Sequence, residues 1–211
     1  MQLVDLKGSY DAIFSLGGLC VPAMQLEKNA LRPYSGVLDW MISNRLSDVN
    51  RLLQQRFEGF MELPYLQILG YAGQQLLVLD TRYSFISNHD FSIRKNSLTQ
   101  LTAYPQVKAK YERRIARFLD VLATRRRILF VRSGDAFEHV EELQAILTEL
   151  VAYDFSLLFV QHAVVPDLVE KECPIQNVCW VQLPNQEIWH NNDQLWRNLL
   201  EGIQLREELS L

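Results

Sequence analysis

Cys20 is the residue whose type and position could do the most chemistry in this chain. It ends the run SLGGLC, residues 15–20. Pro22 and the apolar residues after it predict a helix that begins just beyond the thiol. Free N–H groups and the dipole at a helix N-terminus favour the thiolate, which is the nucleophilic form. Cys20 is therefore a candidate nucleophile; the alternative is a small apolar residue of the core.

A nucleophilic thiol needs a base, which is most often a histidine. The chain offers four, which are His89, His139, His162 and His190. His89 is the first choice because it follows a predicted strand directly. His162 is the second choice, since it lies at the end of an apolar strand. We expect His139 to lie on a charged, solvated helix face and His190 to lie in a loop.

A carboxylate would be needed to orient the base, and the spacing leaves this choice open. The candidates are Asp39, Asp80, Asp90 and Asp135. Asp39 could instead cap a helix over residues 40–46, and Asp135 could cap the helix that follows it. Asp90 adjoins His89, but neighbours on an extended segment point to opposite sides. Asp80 ends a predicted strand and could serve only a turn.

The second half of the chain predicts the framework that must position these residues. Fully apolar runs lie at residues 128–131, 157–160 and 178–181. Patterns of helical period alternate with them at residues 111–122, 137–150 and 195–203. Apolar strands that alternate with helices are typical of a mainly parallel sheet covered on both faces. We therefore predict a three-layer α/β fold, as a single domain over residues 1–211, with a first strand at residues 11–16.

The first half is less regular after the helix that follows Cys20. Residues 31–36 look like a loop, and residues 46–58 have the spacing of an amphipathic helix. The alternation at residues 75–80 and 83–87 predicts a hairpin. We expect this part of the chain to form an irregular insertion in the α/β fold.

Ligands of parallel sheets collect beyond the carboxyl ends of the strands, so the polar residues there are candidates for substrate binding. Glycines at such a turn allow tight bends and leave space beside the chain. The candidate substrate-binding residues are Ser15, Gly17, Gly18, Arg132 and, beside the candidate base, Asp90.

The composition excludes several classes of partner. The chain has 21 Lys and Arg residues against 25 Asp and Glu, a net charge of −4, which argues against nucleic acid. No charged leader or bilayer-length apolar segment is present, and three cysteines without a dense framework favour reduced thiols. We therefore expect a cytoplasmic protein with no membrane partner. No metal-ligand spacing, P-loop or GxGxxG fingerprint predicts a metal or a cofactor, and the oligomeric state stays open.

Several blocks of sequence together resemble a bacterial family of papain-like cysteine peptidases. These blocks are residues 15–20, 31–40, 80–83 with 89–91, and 111–118 followed by 128–132. They cover most of the chain in order. The family commonly has Pro-Phe where this chain has Val37 and Leu38. Papain-like proteins are not usually built on a parallel sheet, so the periodicity of the residues decides the predicted architecture.

The resemblance implies a Cys20–His89 pair, in which the thiol attacks a carbonyl and the imidazole acts as base. It implies Asp39 as the orienting or supporting acid, and backbone N–H groups near Gly18 and Cys20 as donors to the oxyanion. Arg132 would bind a carboxylate or phosphate of the substrate. The implied activity is that of a cysteine-dependent hydrolase or acyltransferase acting on an amide or thioester of a small molecule or peptide.

Two other classes of function stay open at the level of sequence. The chain could be a non-catalytic module that binds an anion at the strand ends through Arg132 and the glycine turn before a helix. Trp180, Trp189 and Trp196 could form a surface for a protein partner, although core and rim positions are the more favoured interpretation of these aromatics.

Overall fold

The computed structural model describes residues 1–206, so the last residues of the predicted 1–211 domain lie outside the described part. The helices are α1 (Val21–Lys28), α2 (Leu46–Gln54), α3 (Tyr104–Thr124), α4 (Val140–Leu150) and α5 (Asp193–Leu200). The strands are β1 (Gly8–Tyr10), β2 (Ala12–Ser15), β3 (Met41–Ile42), β4 (Leu66–Ala72), β5 (Gln75–Asp80), β6 (Phe85–Ser87), β7 (Arg127–Gly134), β8 (Asp154–Ala163), β9 (Val169–Lys171), β10 (Val178–Pro184) and β11 (Ile203–Leu205). Short 3₁₀ helices span Leu3–Leu6 and Leu63–Tyr65.

The central sheet has the strand order β2-β7-β8-β10-β9. Its first four strands are parallel and β9 is antiparallel to β10. The inner strands β7 and β8 are buried along almost their whole length, as their apolar sequences require. The predicted α/β class with a mainly parallel sheet is confirmed.

Side chains alternate between the two faces of this sheet, and each face has its own core. Phe14, Phe130 and Phe159 point to the face covered by α2, α3 and α4. Val131 and Val160 point to the opposite face, which is covered by α1 and α5. Burial of each such side chain contributes about 1.5–3 kcal/mol. The three layers of the fold follow from this alternation.

The part of the chain expected to be an irregular insertion contains more regular structure than its sequence predicts. It forms an antiparallel sheet of order β3-β6-β5-β4, which includes the predicted hairpin of β5 and β6. Strand β4 has a register irregularity between Ile68 and Gly70. Its sequence did not indicate a strand because the exposed positions Leu69 and Tyr71 are apolar, which hides the alternation. Helix α2 ends at Gln54 rather than at residue 58, because Arg56 and Phe57 adopt left-handed conformations with φ of 49° and 64°.

The turn between β2 and α1, residues 16–20, is hereafter the nucleophile turn. It lies beside the carboxyl end of β7: the Leu16 N–H donates to the Val131 carbonyl at 2.8 Å and the Ser133 N–H donates to the Gly17 carbonyl at 3.2 Å. The Ser43 N–H, just after β3, donates to the Gly18 carbonyl at 3.1 Å. The turn is therefore held between the two sheets. Among residues 1–206, no helix is long and apolar enough to cross a bilayer.

Candidate active site

The Cys20 thiol and the His89 imidazole lie together. Cys20 is the residue directly before α1, and its Sγ is 3.8 Å from His89 Nε2. Cys20 is 9% exposed, whereas His89 is exposed on the turn after β6.

The nucleophile turn requires its two glycines. Gly17 and Gly18 have φ of +76° and +109°, which L side chains rarely adopt. A Cβ on Gly18 would lie 2.2 Å from the Ser133 carbonyl oxygen. The space expected beside the turn is thus filled by the backbone of β7. Ser15 is also used internally, since its Oγ accepts the Gly17 N–H at 3.1 Å.

Arg132 supports the nucleophile turn from inside the protein. It is 1% exposed, and its guanidinium donates to the Leu16 carbonyl at 2.9 Å, the Ser43 Oγ at 2.7 Å and the Ser43 carbonyl at 2.6 Å. Burial lowers the pKa of Arg132 to about 9, so it stays a cation at neutral pH. Sequence reasoning missed Ser43, because the two-residue strand before it carries no periodic signal.

The free amides near the thiol are those of Leu19 and Cys20. The Gly18 N–H, expected as an oxyanion donor, donates to the Ser43 Oγ at 3.2 Å. Within the described residues, the backbone N–H groups of Leu19 and Cys20 donate to no protein acceptor. These two amides at the start of α1 are the donors available to an oxygen that becomes negatively charged beside Sγ.

Asp39 is buried beside the pair but is bonded elsewhere. It is 1% exposed, and its Oδ2 accepts the Gly36 N–H at 2.7 Å and an Arg32 N–H at 3.1 Å. Burial raises the pKa of Asp39, opposed by the Gly36 N–H and the Arg32 charge. The alternative of a helix cap is wrong, because strand β3 follows at Met41.

Asp90 anchors the turn that carries His89, and it does not hydrogen-bond to the imidazole. Its carboxylate is 3% exposed and ion-paired with Lys110. It also accepts hydrogen bonds from Ser87 Oγ at 2.5 Å and Tyr111 OH at 2.7 Å. Burial alone would raise the pKa of Asp90, but the Lys110 ammonium and these hydrogen bonds outweigh it and lower the pKa. With all these partners, Asp90 is an anchor to α3.

The remaining carboxylates are also placed away from the imidazole. Asp80 accepts the Met61 N–H at 2.7 Å and the Tyr83 N–H at 3.0 Å, as a turn residue does. Asp135 does not cap α4, which begins at Val140 after His139 in a left-handed conformation. Across the described part of the chain, none of the four candidate carboxylates hydrogen-bonds to His89. The Trp40 ring contacts it instead, with centroids 5.6 Å apart.

The electrostatics of Cys20 differ from the expectation for a thiol at a helix N-terminus. Burial, together with the charge of Asp39, raises the pKa of the Cys20 thiol. Both effects favour the neutral thiol over the thiolate beside the imidazole. Such a pair can transfer the thiol proton to Nε2 while the sulfur attacks, rather than storing a thiolate beforehand.

The other histidines and cysteines lie apart from this pair. His139 and His190 are exposed, in agreement with the sequence prediction. His162 is 7% exposed and lines a separate cavity. Cys179 is a fully buried core residue, as predicted, and burial raises its pKa to about 12.

Comparison with known proteins gives one family and one curated relative. A family model described as "Putative papain-like cysteine peptidase" matches residues 11–164, which include Cys20, His89 and Asp39. An uncharacterized protein of Acanthamoeba polyphaga mimivirus is 26% identical, over 72% of this chain and 77% of the viral protein. No solved structure matches.

Proposed function

The chain belongs to the family whose model is described as "Putative papain-like cysteine peptidase", and on that premise we propose that it is a cysteine-dependent hydrolase or acyltransferase acting on an amide or thioester. The observation that carries the proposal is the 3.8 Å separation of Cys20 Sγ and His89 Nε2, two atoms from residues 69 positions apart. A thiol beside an imidazole at the start of a helix suits attack on a carbonyl carbon.

In the first step, Sγ forms a bond to the carbonyl carbon and the thiol proton passes to His89 Nε2. The π electron pair of the carbonyl moves onto its oxygen, which accepts hydrogen bonds from the Leu19 and Cys20 amides. For Nε2 to accept the proton, His89 must be neutral and carry its own proton on Nδ1.

In the second step, the carbonyl re-forms and the bond to the leaving nitrogen or sulfur breaks. The leaving atom takes the proton from His89 Nε2, and the acyl group stays on Cys20 as a thioester. A water or an acceptor nucleophile then attacks this thioester and gives its proton to His89. When the bond from carbon to Sγ breaks, that proton returns to the sulfur.

The other predicted site residues hold the side chains and the backbone of the site in position. Asp39 serves as a supporting acid through Arg32, whose guanidinium lies over the Trp40 ring at 5.3 Å from its centroid. Ser15, Gly17 and Gly18 set the course of the nucleophile turn. The substrate is a small molecule or peptide rather than nucleic acid, given the net charge of −4. Free Cys20, Cys173 and Cys179 fit a cytoplasmic setting.

The test is the acylation of Cys20 by p-nitrophenyl acetate and by a small alkyl thioester near neutral pH. Peptide mass spectrometry reports the rate at which the acetyl group appears on each cysteine. We expect acetyl-Cys20 in the wild type and a fall of roughly 10²- to 10⁴-fold in His89→Ala, which lacks the base. His139→Ala is the matched control, because His139 is an exposed histidine away from the thiol.

Two results would overturn the proposal. The first is acetylation of Cys20 in His89→Ala at the wild-type rate. The second is acetylation of Cys173 as fast as that of Cys20, which would indicate ordinary thiol reactivity. Circular dichroism of each variant establishes that it is folded before its rate is compared.

A further inference from the structure

A cavity of about 120 Å³, partly open to solvent, lies at the carboxyl ends of β7 and β8. We call it the strand-end cavity. Its lining includes Leu19 of the nucleophile turn, Arg132 near the end of β7, Asp135 just after that strand, and His162 at the end of β8. It is smaller than the pockets that enclose drug-sized ligands, so it suits a single small group of a ligand. Cys20 and His89 do not line it, so the acyl-transfer chemistry does not account for its polar residues.

Arg132 brings a buried positive charge to this cavity. It is 1% exposed, and its three hydrogen-bond acceptors are the neutral oxygens of Leu16 and Ser43. Its Nε has no hydrogen-bond partner, and within residues 1–206 the guanidinium hydrogen-bonds to these neutral oxygens and to no carboxylate. Burying a cation that has only neutral partners costs free energy, because the charge is removed from water. An anion bound beside it would offset this cost.

His162 brings a second unsatisfied group to the same cavity. It is 7% exposed, and neither of its ring nitrogens hydrogen-bonds to the described residues. The Pro184 carbonyl lies near the ring but outside good hydrogen-bond geometry, so His162 lacks the well-formed partner that buried polar side chains normally have and can offer its single N–H to a ligand atom. Burial lowers the pKa of His162, against the opposing effects of the Pro184 carbonyl and the Asp135 carboxylate.

We propose that the strand-end cavity binds the carboxylate or phosphate group of a small ligand, with Arg132 and His162 as its donors. The Asp135 carboxylate on the same wall repels an anion that fills the whole cavity. It favours a ligand that carries a hydroxyl or ammonium group beside its anionic group. This site goes beyond the proposed acyl chemistry and does not depend on it.

The test is isothermal titration calorimetry on Cys20→Ala, which holds no nucleophilic thiol in the turn. The probes are inorganic phosphate and malate, a hydroxy-carboxylate, titrated separately. We expect saturable one-site binding of at least one probe; phosphate alone would indicate a phosphate ligand, and malate alone a carboxylate ligand. No saturable binding of either probe at millimolar concentration would overturn the proposal.

Variants made in the same Cys20→Ala background locate the binding. We expect His162→Ala to weaken it about tenfold, as the loss of one hydrogen bond to a charged group does. Asp135→Asn tightens it about threefold or more, because a like charge is removed. Arg113→Ala is the charge-matched control on the exposed face of α3 and leaves binding unchanged.

Binding that is the same in His162→Ala and Asp135→Asn as in the parent would also contradict the site. Arg132→Lys is a supplementary variant; if it fails to fold, His162→Ala and Asp135→Asn still decide the question. Because all titrations use Cys20→Ala, an absence of acylation in the wild type leaves this result unaffected, and the two proposals can fail separately.

Discussion

The rings of Trp40 and His89 meet in a T-shaped arrangement, with centroids 5.6 Å apart and an interplanar angle of 66°. Arg32 lies over the Trp40 ring and forms ion pairs with Asp39 at 3.1 Å and Glu27 at 2.8 Å. The imidazole thus packs against an aromatic ring, and the buried Asp39 carboxylate is linked to it only through Arg32 and Trp40. This differs from a triad in which a carboxylate bonds directly to the base.

Trp40→Leu is expected to slow the acylation of Cys20 by about 10- to 100-fold, because a base displaced by a fraction of an ångström transfers its proton less efficiently. Trp40→Phe keeps an aromatic ring against His89 and should recover most of the rate. The measurement is the rate constant for acetylation by p-nitrophenyl acetate.

Trp189→Leu is the matched control, since Trp189 is 36% exposed and makes no ring contact with His89. Equal rates for Trp40→Leu and the wild type would show that the aromatic contact does not position the base. A Trp40→Phe variant as slow as Trp40→Leu would show that positioning His89 requires the indole ring and that another aromatic ring cannot replace it.

The pH dependence of Cys20 alkylation follows from its raised pKa. Burial and the Asp39 charge disfavour the thiolate, so the midpoint of the iodoacetamide reaction should lie above that of Cys20 in the urea-unfolded chain. Asp39→Asn removes the negative charge and should move the midpoint to lower pH. Asp120→Asn, on the exposed side of α3, is the control. A folded-state midpoint below the unfolded one would contradict the buried, neutral thiol.

Gly18→Ala is expected to destabilise the protein by roughly 2–5 kcal/mol, from a strained φ together with a clash against the Ser133 carbonyl. Gly73→Ala is the control, because Gly73 also has a positive φ, +58°, but a Cβ there would meet nothing within 4 Å. Its cost should be about 1 kcal/mol. Urea unfolding measures the free energy of unfolding of both variants. Equal losses in Gly18→Ala and Gly73→Ala would mean that the close approach of the turn to β7 is unimportant.

Asp90→Asn is expected to cost about 1.5–3 kcal/mol at neutral pH, because the charge-assisted bonds to Lys110 and Tyr111 weaken. The pKa of Asp90 is lowered in the folded state. Its stabilisation is therefore present above the unfolded pKa, near about 3.9, and is lost as the pH falls through the folded pKa.

The difference in unfolding free energy between the wild type and Asp90→Asn should accordingly shrink below about pH 4. Urea titrations at several acidic pH values measure it. Asp154→Asn, at an exposed site that begins β8, is the control. A difference that is constant across the acidic range would show that the Asp90 charge is not what stabilises the turn.

The local pattern of residues predicted most of the elements but not their pairing. Apolar runs such as residues 128–131 and 157–160 indicated the central strands, because a strand buried on both faces has no polar alternation. Pro22 located the start of α1 beside Cys20. Strands β1, β3, β4, β9 and β11 were missed, since most are short and their pairing depends on residues distant in the chain. The terminal helix expected to reach residue 203 ends at Leu200, and Ile203 begins β11.

What the sequence determined by itself is therefore the α/β framework and the position of a thiol at the start of a helix. Only the tertiary structure decided which side chains meet that thiol, because Cys20 and His89 are 69 residues apart and local spacing carries no information on such a contact. It also decided the direction of the Cys20 pKa, since burial and the charge of Asp39 both raise it. The tertiary structure likewise decided the hydrogen-bond partners of Asp39, Asp90 and Arg132, because hydrogen bonds between distant segments depend on how the sheets and helices pack.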